Sequence, residues 1–371
     1  MSLLPDTTRI LLGPGPSVTS PRVMRAMAAP TLGHLDPLMM RLLDDVRARL
    51  ARLFKAADGS FAFAVSGTGT SGLECVVANL VREGTRVLVV VGGYFGDRLA
   101  QVCERYGATV AHLDVEWGRA CDPDALRRAL KASPADIVAM VQAETSTGAL
   151  NPVERLAAVA REQGALVIVD AVTSFGGHAL DVAGWGIDAC YSCTQKCLGA
   201  PAGLAPVVFG PRALERRVTC RSFYLDLQLL QDYWLDRKYH HTMSSTLVYA
   251  LAEALAIVEE EGLEARWSRH ERNHRALIQA LATVGLGVLP REGERLWTLN
   301  AVRVPEGVDE AAVRALLLNE FGIEIGAGLG PLAGKIWRVG LMGASSDPRL
   351  ILLLIAAFDT ALARQRSSLR T

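Results

Sequence analysis

Lysine is scarce in this chain of 371 residues. Five of the 39 basic residues are lysine, and 39 acidic residues bring the formal net charge to zero. A neutral chain without a basic stripe lacks the electrostatic footprint of a nucleic-acid-binding protein, and it has no block of like charge that would attract an anionic membrane. We therefore expect neither nucleic acid nor a membrane among its partners.

Long apolar runs and a leader-like start are also lacking. The longest apolar run, from Leu350 to Phe358, is far shorter than the ~20 residues that span a bilayer. The first residues, MSLLPDTTRILLGPGPS, lack a basic start, a long apolar core and a small-residue cleavage site. Seven cysteines, an odd number, favour reduced thiols over a disulfide framework. A cytoplasmic location is the simplest expectation.

Three of the cysteines have a spacing that suggests a metal site. Cys190, Cys193 and Cys197 follow the pattern C-x2-C-x3-C. A closed zinc site needs four ligands, however, and no further Cys or His pair follows at finger-like spacing. We therefore expect no metal, and we interpret the three thiols as small buried residues that pack around a loop.

Short apolar runs alternate with helical stretches between residues 61 and 210, which predicts an α/β fold. The runs are nearly continuous in hydrophobicity, as in strands buried on both faces of a largely parallel sheet. They are Phe61–Val65, Arg86–Val91, Ile137–Val141, Leu166–Val169 and Pro206–Phe209. With helices such as Asp124–Ala132 and Val153–Gln163 between the strands, the pattern predicts a three-layer architecture.

The remainder of the chain predicts a smaller α+β unit at the C-terminal end. An amphipathic helix, Leu38–Phe54, precedes the sheet, and two long helices, Leu247–Glu261 and Ala265–Val284, follow it. After a break at Pro290–Gly293, the predicted elements are a strand, a helix, two short strands and a last helix: Leu296–Val304, Asp309–Phe321, Ile323–Ile325, Ile336–Leu341 and a helix from Asp347. We divide the chain into an N-terminal arm with a large domain, residues 1–260, and a small domain, residues 261–371.

A glycine-rich turn after the first predicted strand predicts an anion site. Gly67, Gly69 and Gly72 match GxGxxG, but a dinucleotide site also needs an acidic residue at the end of the second strand, where this chain reads Val-Gly-Gly-Tyr-Phe. Thr68 and Thr70 alternate with the glycines, and hydroxyls at a helix N-terminus suit a phosphate monoester. A tight turn that merely needs glycines is the alternative.

Lys196 and Asp170 supply two groups that an aldehyde cofactor with a basic ring nitrogen requires. Such a cofactor needs an amine that condenses with its aldehyde and a fixed anion that keeps its ring nitrogen protonated. Asp170 follows an apolar strand, and Lys196 follows the polar run Ser-Cys-Thr-Gln. Phe95, which we place at the end of the second strand, would stack on a flat ring. A surface lysine, a strand-capping aspartate and a core aromatic residue are the plainer interpretations.

Taken together, these segments resemble the class V aminotransferases of the alanine:glyoxylate and serine:glyoxylate group, which are fold-type I pyridoxal-phosphate (PLP) enzymes. The likeness extends from about residue 9 to residue 365. Six segments in register carry it: Leu12–Ser17, Glu144–Gly148, Val169–Val172, Thr194–Lys196, Tyr239–Thr242 and Gly334–Gly340. The resemblance implies that the three-layer domain binds PLP.

The resemblance also implies a role for each matching cofactor residue. Lys196 would bond to the cofactor and move the substrate proton, and Asp170 would pair with the ring nitrogen. The other cofactor contacts would come from Thr68, Gly69, Thr70 and Gln195 at the phosphate, Phe95 and Val172 on the two ring faces, and Thr145 near the ring hydroxyl.

Further residues would contact the substrate or a second subunit. Arg338 would bind the substrate carboxylate with its planar fork, with a buried salt bridge as the plainer interpretation. Gly15, in a proline-rich turn, and His34 would lie on the substrate side. Tyr239 and Thr242 would reach the phosphate of the cofactor in the neighbouring subunit. The resemblance thus implies a homodimer with shared active sites.

The implied reaction moves an amino group from L-alanine or L-serine to glyoxylate and yields glycine with pyruvate or hydroxypyruvate. The (S)-ureidoglycine:glyoxylate aminotransferases are a second candidate, because some late segments resemble that branch. That branch tends to have Gln and Asn where this chain has His34 and Tyr239, so a ureido group would lack an amide partner.

Two other classes fit the residues less well. Cysteine desulfurases need a nucleophilic cysteine late in the chain, whereas the last cysteine here is Cys220. A dinucleotide-dependent oxidoreductase or a non-catalytic α/β binding protein survives only if Lys196 has no role. Visible absorbance from a bound PLP would separate these classes.

Overall fold

In the computed structural model, the chain has the three-layer α/β architecture that the sequence predicts. The structure describes residues 8–368, so the first seven residues of the predicted arm and the last three residues of the chain lie outside the described residues. The strands are β1 (Ile10–Leu11), β2 (Phe61–Gly67), β3 (Arg86–Val91), β4 (Thr109–Asp114), β5 (Ile137–Val141), β6 (Ala143–Glu144), β7 (Ala149–Leu150), β8 (Leu166–Asp170), β9 (Ala189–Tyr191), β10 (Gly203–Phe209), β11 (Leu299–Arg303), β12 (Ile323–Glu324), β13 (Gly326–Ala327) and β14 (Ile336–Gly340).

Helices alternate with these strands and then dominate the last third of the chain. They are α1 (Pro21–Met27), α2 (Pro37–Leu53), α3 (Gly69–Leu80), α4 (Tyr94–Arg105), α5 (Pro123–Ala132), α6 (Val153–Glu162), α7 (Pro211–Glu215), α8 (Leu227–Asp236), α9 (Ser245–Glu261), α10 (Leu263–Thr283), α11 (Glu310–Phe321) and α12 (Pro348–Ser368). None of the helices within residues 8–368 is both long enough and apolar enough to cross a bilayer.

A seven-stranded sheet forms the middle layer, in the order β2-β10-β9-β8-β5-β3-β4. Strand β10 is antiparallel to both of its neighbours. The other neighbouring pairs are parallel. Because parallel strands end at a common edge, β5, β8 and β9 bring their last residues close together there.

The five strands predicted for this sheet are confirmed, and two further strands were not predicted. Strand β4 is an edge strand without a buried residue, so it shows no continuous apolar run, and the buried run of β9 is only three residues long. The prediction that Phe95 ends the second strand is wrong, because β3 stops at Val91 and Phe95 lies in the first turn of α4. Gly92 and Gly93 separate the two elements.

A second, smaller sheet has the order β11-β14-β13 and is antiparallel throughout. Its core is separate from the large one and includes Leu277, Trp337 and Phe358. Leu12, from the start of the chain, packs into this second core, and β1 pairs in parallel with β12. The division into residues 1–260 and 261–371 stays a prediction.

The cysteines pack as free thiols. Six of the seven are buried, including Cys190, Cys193 and Cys197 around the lysine loop. Burial raises the pKa of Cys193 to about 12 and that of Cys197 to about 11. Thiols with such pKa values are poor nucleophiles near neutral pH.

Candidate active site

A pocket of about 450 Å³ lies at the carboxyl ends of the parallel strands. Val141, Asp170 and Tyr191, the last residues of β5, β8 and β9, line this pocket. Most of the predicted site residues also line it: Gly15, Thr68, Gly69, Thr70, Phe95, Thr145, Asp170, Val172, Gln195, Lys196 and Arg338. The fold therefore brings together residues that span more than three hundred positions of the sequence.

The Lys196 amine lies buried in this pocket. Its Nζ donates a hydrogen bond to the Pro14 carbonyl oxygen at 2.7 Å and lies 3.5 Å from Thr145 Oγ1. Burial lowers the pKa of Lys196, and its effect outweighs that of the nearby acidic groups Cys193, Cys197 and Asp170, which raise it. A larger fraction of the amine is thus neutral, which is the nucleophilic form.

The turn after β1, residues 13–17, holds in place the loop that contains Gln195 and Lys196. Ser17 N–H donates to the Gln195 carbonyl at 2.8 Å, and Ser17 Oγ donates to the Lys196 carbonyl at 2.7 Å. Gly15 has φ +108°, and a Cβ at this position would lie 3.1 Å from Lys196 Cγ. Glycine is required there because both the conformation and the close approach disfavour a side chain.

Asp170 is a buried carboxylate at the end of β8. Its Oδ1 accepts a hydrogen bond from Val172 N–H at 2.8 Å, and its Oδ2 accepts one from the Tyr191 hydroxyl at 2.9 Å. Burial raises the pKa of Asp170 to about 6, although both hydrogen bonds oppose that rise. A cation beside this carboxylate would lower its pKa again, so the site favours a positively charged partner.

The start of α3 forms an anion cradle. Thr68 is the N-cap residue of α3, and its side chain makes no capping hydrogen bond. The first N–H groups of any helix lack a partner within the helix. Gln195 Oε1 is buried without a hydrogen-bond partner, and its amide can turn to present an NH₂ donor. Gly69 allows close packing, because a Cβ there would lie 3.0 Å from Val172 Cγ2.

Arg338 is a buried cation with no carboxylate partner among the described residues. Its Nε donates to the Ala327 carbonyl at 2.6 Å, which ties the guanidinium to the end of β13. Burial lowers its pKa to about 10, and the charge of Glu144 opposes that decrease. Arg338 therefore forms no buried salt bridge within residues 8–368. The remaining N–H donors suit a bidentate anion such as a carboxylate.

Phe95 lines the pocket beside two residues that the sequence did not point to. Arg98, one turn further along α4, has its guanidinium carbon 5.1 Å from the Phe95 ring centroid. The Tyr94 ring meets the Phe95 ring edge-on at 5.5 Å. The spacing of Tyr94, Phe95 and Arg98 predicts that their side chains lie together only if these residues are known to be helical, and the sequence did not indicate where α4 starts.

Three predicted site residues do not line the pocket of their own chain. The His34 ring lies 5.2 Å from the Tyr239 ring, and Tyr239 is 63% exposed. Thr242 is also exposed. The Phe223 ring, 72% exposed, lies 5.3 Å from the His240 ring. His34, Tyr239 and Thr242 therefore take no part in lining this pocket.

A comparison with protein families decides the class of this pocket. The model of the aminotransferase class-V family matches residues 16–337, which include the lysine, the carboxylate and all of the anion cradle. The chain belongs to the class-V aminotransferases.

Similar proteins span nearly the whole of this aminotransferase. The solved alanine–glyoxylate aminotransferase from Nostoc sp. is 43% identical, has a TM-score of 0.95, and the match covers 98% of this chain and 97% of that one. The ureidoglycine–glyoxylate aminotransferase structure from Bacillus subtilis is 38% identical, with a TM-score of 0.95 and coverage of 98% and 95%. The alanine–glyoxylate aminotransferase of Drosophila melanogaster is 34% identical over 98% of this chain and 95% of its own.

The cofactor of this family is PLP, and the pocket of this aminotransferase fits it. The partnerless Gln195 amide and the uncapped start of α3 suit its phosphate. The buried Asp170 suits a protonated ring nitrogen, and the Lys196 amine of lowered pKa suits its aldehyde. When bound, PLP withdraws electrons from the α-carbon of an amino acid and so makes its proton labile.

Proposed function

We propose that this aminotransferase moves an amino group from L-alanine or L-serine to glyoxylate, producing glycine with pyruvate or hydroxypyruvate. The observation that carries this proposal is Arg338, which is buried in the same pocket as Lys196 and has no carboxylate partner within residues 8–368. Donor and acceptor both carry a carboxylate next to the reacting carbon. One guanidinium can therefore hold each of them in turn beside the lysine.

The predicted residues supply binding and proton transfer. Thr68, Gly69, Thr70 and Gln195 would hold the phosphate, Asp170 would keep a proton on the ring nitrogen, and Thr145 would lie near the ring hydroxyl. Phe95 and Val172 would enclose the ring and exclude water from its faces. Lys196 Nζ would bond to the cofactor and then carry the proton that leaves the substrate α-carbon. Gly15 would leave the mouth of the pocket open to a small substrate.

Ureidoglycine is the second candidate donor. It is favoured by the 38% identity to the ureidoglycine–glyoxylate aminotransferase structure. Against it, Gln195 is the single side-chain amide that lines the pocket within residues 8–368, and its place is at the phosphate cradle. A ureido group would then leave its N–H and C=O groups without an amide partner in this chain, which penalises binding.

A donor panel tests the proposal. We expect L-alanine or L-serine to convert the yellow PLP form to the colourless aminated form, and glyoxylate to restore the colour with release of glycine. The kcat/KM of the better of these donors should exceed that of ureidoglycine by about 100-fold or more, as expected for a polar mismatch in a buried site. Faster bleaching by ureidoglycine would reassign the donor while leaving the aminotransferase chemistry in place.

Removal of the Arg338 guanidinium should weaken both substrates and spare the cofactor. For Arg338→Ala we expect the KM values of donor and glyoxylate each to rise about 100-fold, because charge-assisted hydrogen bonds contribute ~1.5–3 kcal/mol. Steady-state kinetics and the visible spectrum check this. Arg303→Ala, on the neighbouring strand and exposed, is the matched control. Loss of colour in Arg338→Ala would instead show that Arg338 holds the fold of the site.

We also propose that the enzyme is a cytoplasmic homodimer with shared active sites. Support comes from the exposed Tyr239, whose ring lies 5.2 Å from that of His34, and from the exposed Phe223, because a second subunit would cover such aromatic side chains. His34, Tyr239 and Thr242 would then contact the partner's pocket. The seven free cysteines agree with a reducing compartment.

A further inference from the structure

Glu144 is a buried carboxylate that the proposed reaction does not use. It is 2% exposed and opens the segment Glu144–Gly148, one of the six that resemble the family. Its Oε1 accepts hydrogen bonds from Ser146 N–H at 3.0 Å and Ser146 Oγ at 2.5 Å. The carboxylate also faces α4, where Gly96 N–H donates to Oε2 at 3.2 Å and Phe95 N–H approaches Oε1 at 3.4 Å.

These contacts make Glu144 the cap of α4 from a distant part of the chain. The N-cap residue of α4 is Gly93, which has no side chain to accept from the first N–H groups. A Cβ on Gly93 would lie 2.5 Å from Glu144 Cδ, so the space of the missing side chain is filled by the carboxylate. A negative charge at this position also interacts favourably with the helix dipole.

The same residue is connected to the lysine. Glu144 ends β6, and the next residue, Thr145, lies 3.5 Å from Lys196 Nζ. Ser146 Oγ in turn accepts from Tyr94 N–H at 3.0 Å. One short segment thus touches the reacting amine on one side and the first turn of α4, with Phe95, on the other.

We propose that Glu144 is a positioning residue that fixes the Phe95 ring at the cofactor face by capping α4. This inference rests on the proposed role of Phe95 in stacking on the PLP ring. An ordinary helix cap contributes only to the stability of its helix. The Glu144 cap also determines the position of the Phe95 ring relative to Asp170 and Lys196.

Glu144→Gln tests the proposal, because it preserves size and removes one acceptor. In either orientation of the amide, its NH₂ opposes an α4 N–H group, that of Gly96 at the Oε2 position or that of Phe95, together with Ser146 N–H, at the Oε1 position, so the first turn of α4 shifts. We expect the Kd for PLP, measured by absorbance titration, to rise about tenfold, the scale of one lost aromatic stacking contact. The visible circular dichroism of the protein saturated with PLP should change with it.

A double-mutant cycle separates this role from a general effect on folding. Phe95→Leu should raise the Kd for PLP by a similar factor, and Glu144→Gln should add little to the Kd in a Phe95→Leu background. Asp309→Ala is the control, because Asp309 also caps a helix but does not line the pocket. Its Oδ1 accepts from Ala312 N–H at 3.0 Å at the start of α11. It should lower the unfolding temperature and leave the Kd for PLP unchanged.

The outcomes distinguish the positioning role of Glu144 from the proposed aminotransferase activity. Additive effects of the two substitutions, or a wild-type Kd in Glu144→Gln or in Phe95→Leu, would overturn the positioning role while the aminotransferase proposal stands. A wild-type protein that takes up no PLP would overturn both. Non-additive loss with an altered dichroism band supports the inference.

Discussion

Lys196→Ala is expected to yield a protein that still binds PLP but forms no covalent bond with it, with a transamination rate at least ~10⁴-fold lower. The reason is that Lys196 Nζ has two proposed tasks, bonding to the cofactor aldehyde and carrying the substrate proton, and no other amine lines the pocket within the described residues. Borohydride reduction followed by mass spectrometry should locate the cofactor on Lys196 in the wild type and nowhere in the variant.

The scarcity of lysine offers a clean control for this experiment. Lys335, exposed and two positions before Trp337 in β14, can be replaced by alanine without touching the pocket. Lys335→Ala should keep the visible absorbance, the reduced adduct and the rate. An adduct that persists on another lysine in Lys196→Ala would contradict the assignment.

Asp170→Asn is expected to lower kcat by about 10³-fold, the scale at which removal of one preorganised electrostatic group acts. An amide cannot hold a proton on the ring nitrogen as a carboxylate does, so the electron sink weakens. The cofactor-free variant should unfold at a temperature at least as high as that of the wild type near neutral pH. An ionised carboxylate whose pKa is raised by burial destabilises the folded state above that pKa.

The pH dependence of PLP binding provides a second test of Asp170. The cofactor-free pKa is about 6, and pairing with a cationic ring nitrogen lowers it. Binding is therefore strongest above this pKa and weakens as the pH falls through it, because the carboxylate must then release a proton. Absorbance titrations on both sides of this pKa should show the step in the wild type and not in Asp170→Asn. The same step in both proteins would assign it to the cofactor.

Buried parallel strands were predictable from the sequence because burial on both faces leaves a continuous apolar signal. Val87 to Val91 and Leu166 to Val169 are examples, and every one of these positions is buried. Strand β4 lies at an edge, where partial exposure breaks that signal. Strand β9 consists of only three residues, and all three pair with β8. It is a strand because of this pairing, which a local sequence pattern does not reveal.

The site was predictable where a residue's place follows from its own segment. Asp170 at a strand end and Thr68 at a helix start are such residues. Tyr191 was not predicted as a site residue, because its hydrogen bond to Asp170 depends on β9 lying beside β8. The capping role of Glu144 was not predicted, because it depends on α4, which starts fifty positions earlier, and on the absence of a Cβ at Gly93.

The pairing of β1 with β12 affects when the pocket can be completed during synthesis. Ile10 meets Ile323, and the turn after β1 carries Pro14 to the lysine amine. Closing so long a loop is slow, and the ribosome must first deliver residues up to Glu324. A nascent chain can thus build its large sheet before β12 exists, and the turn after β1 has no strand to anchor it until residue 324 has been made.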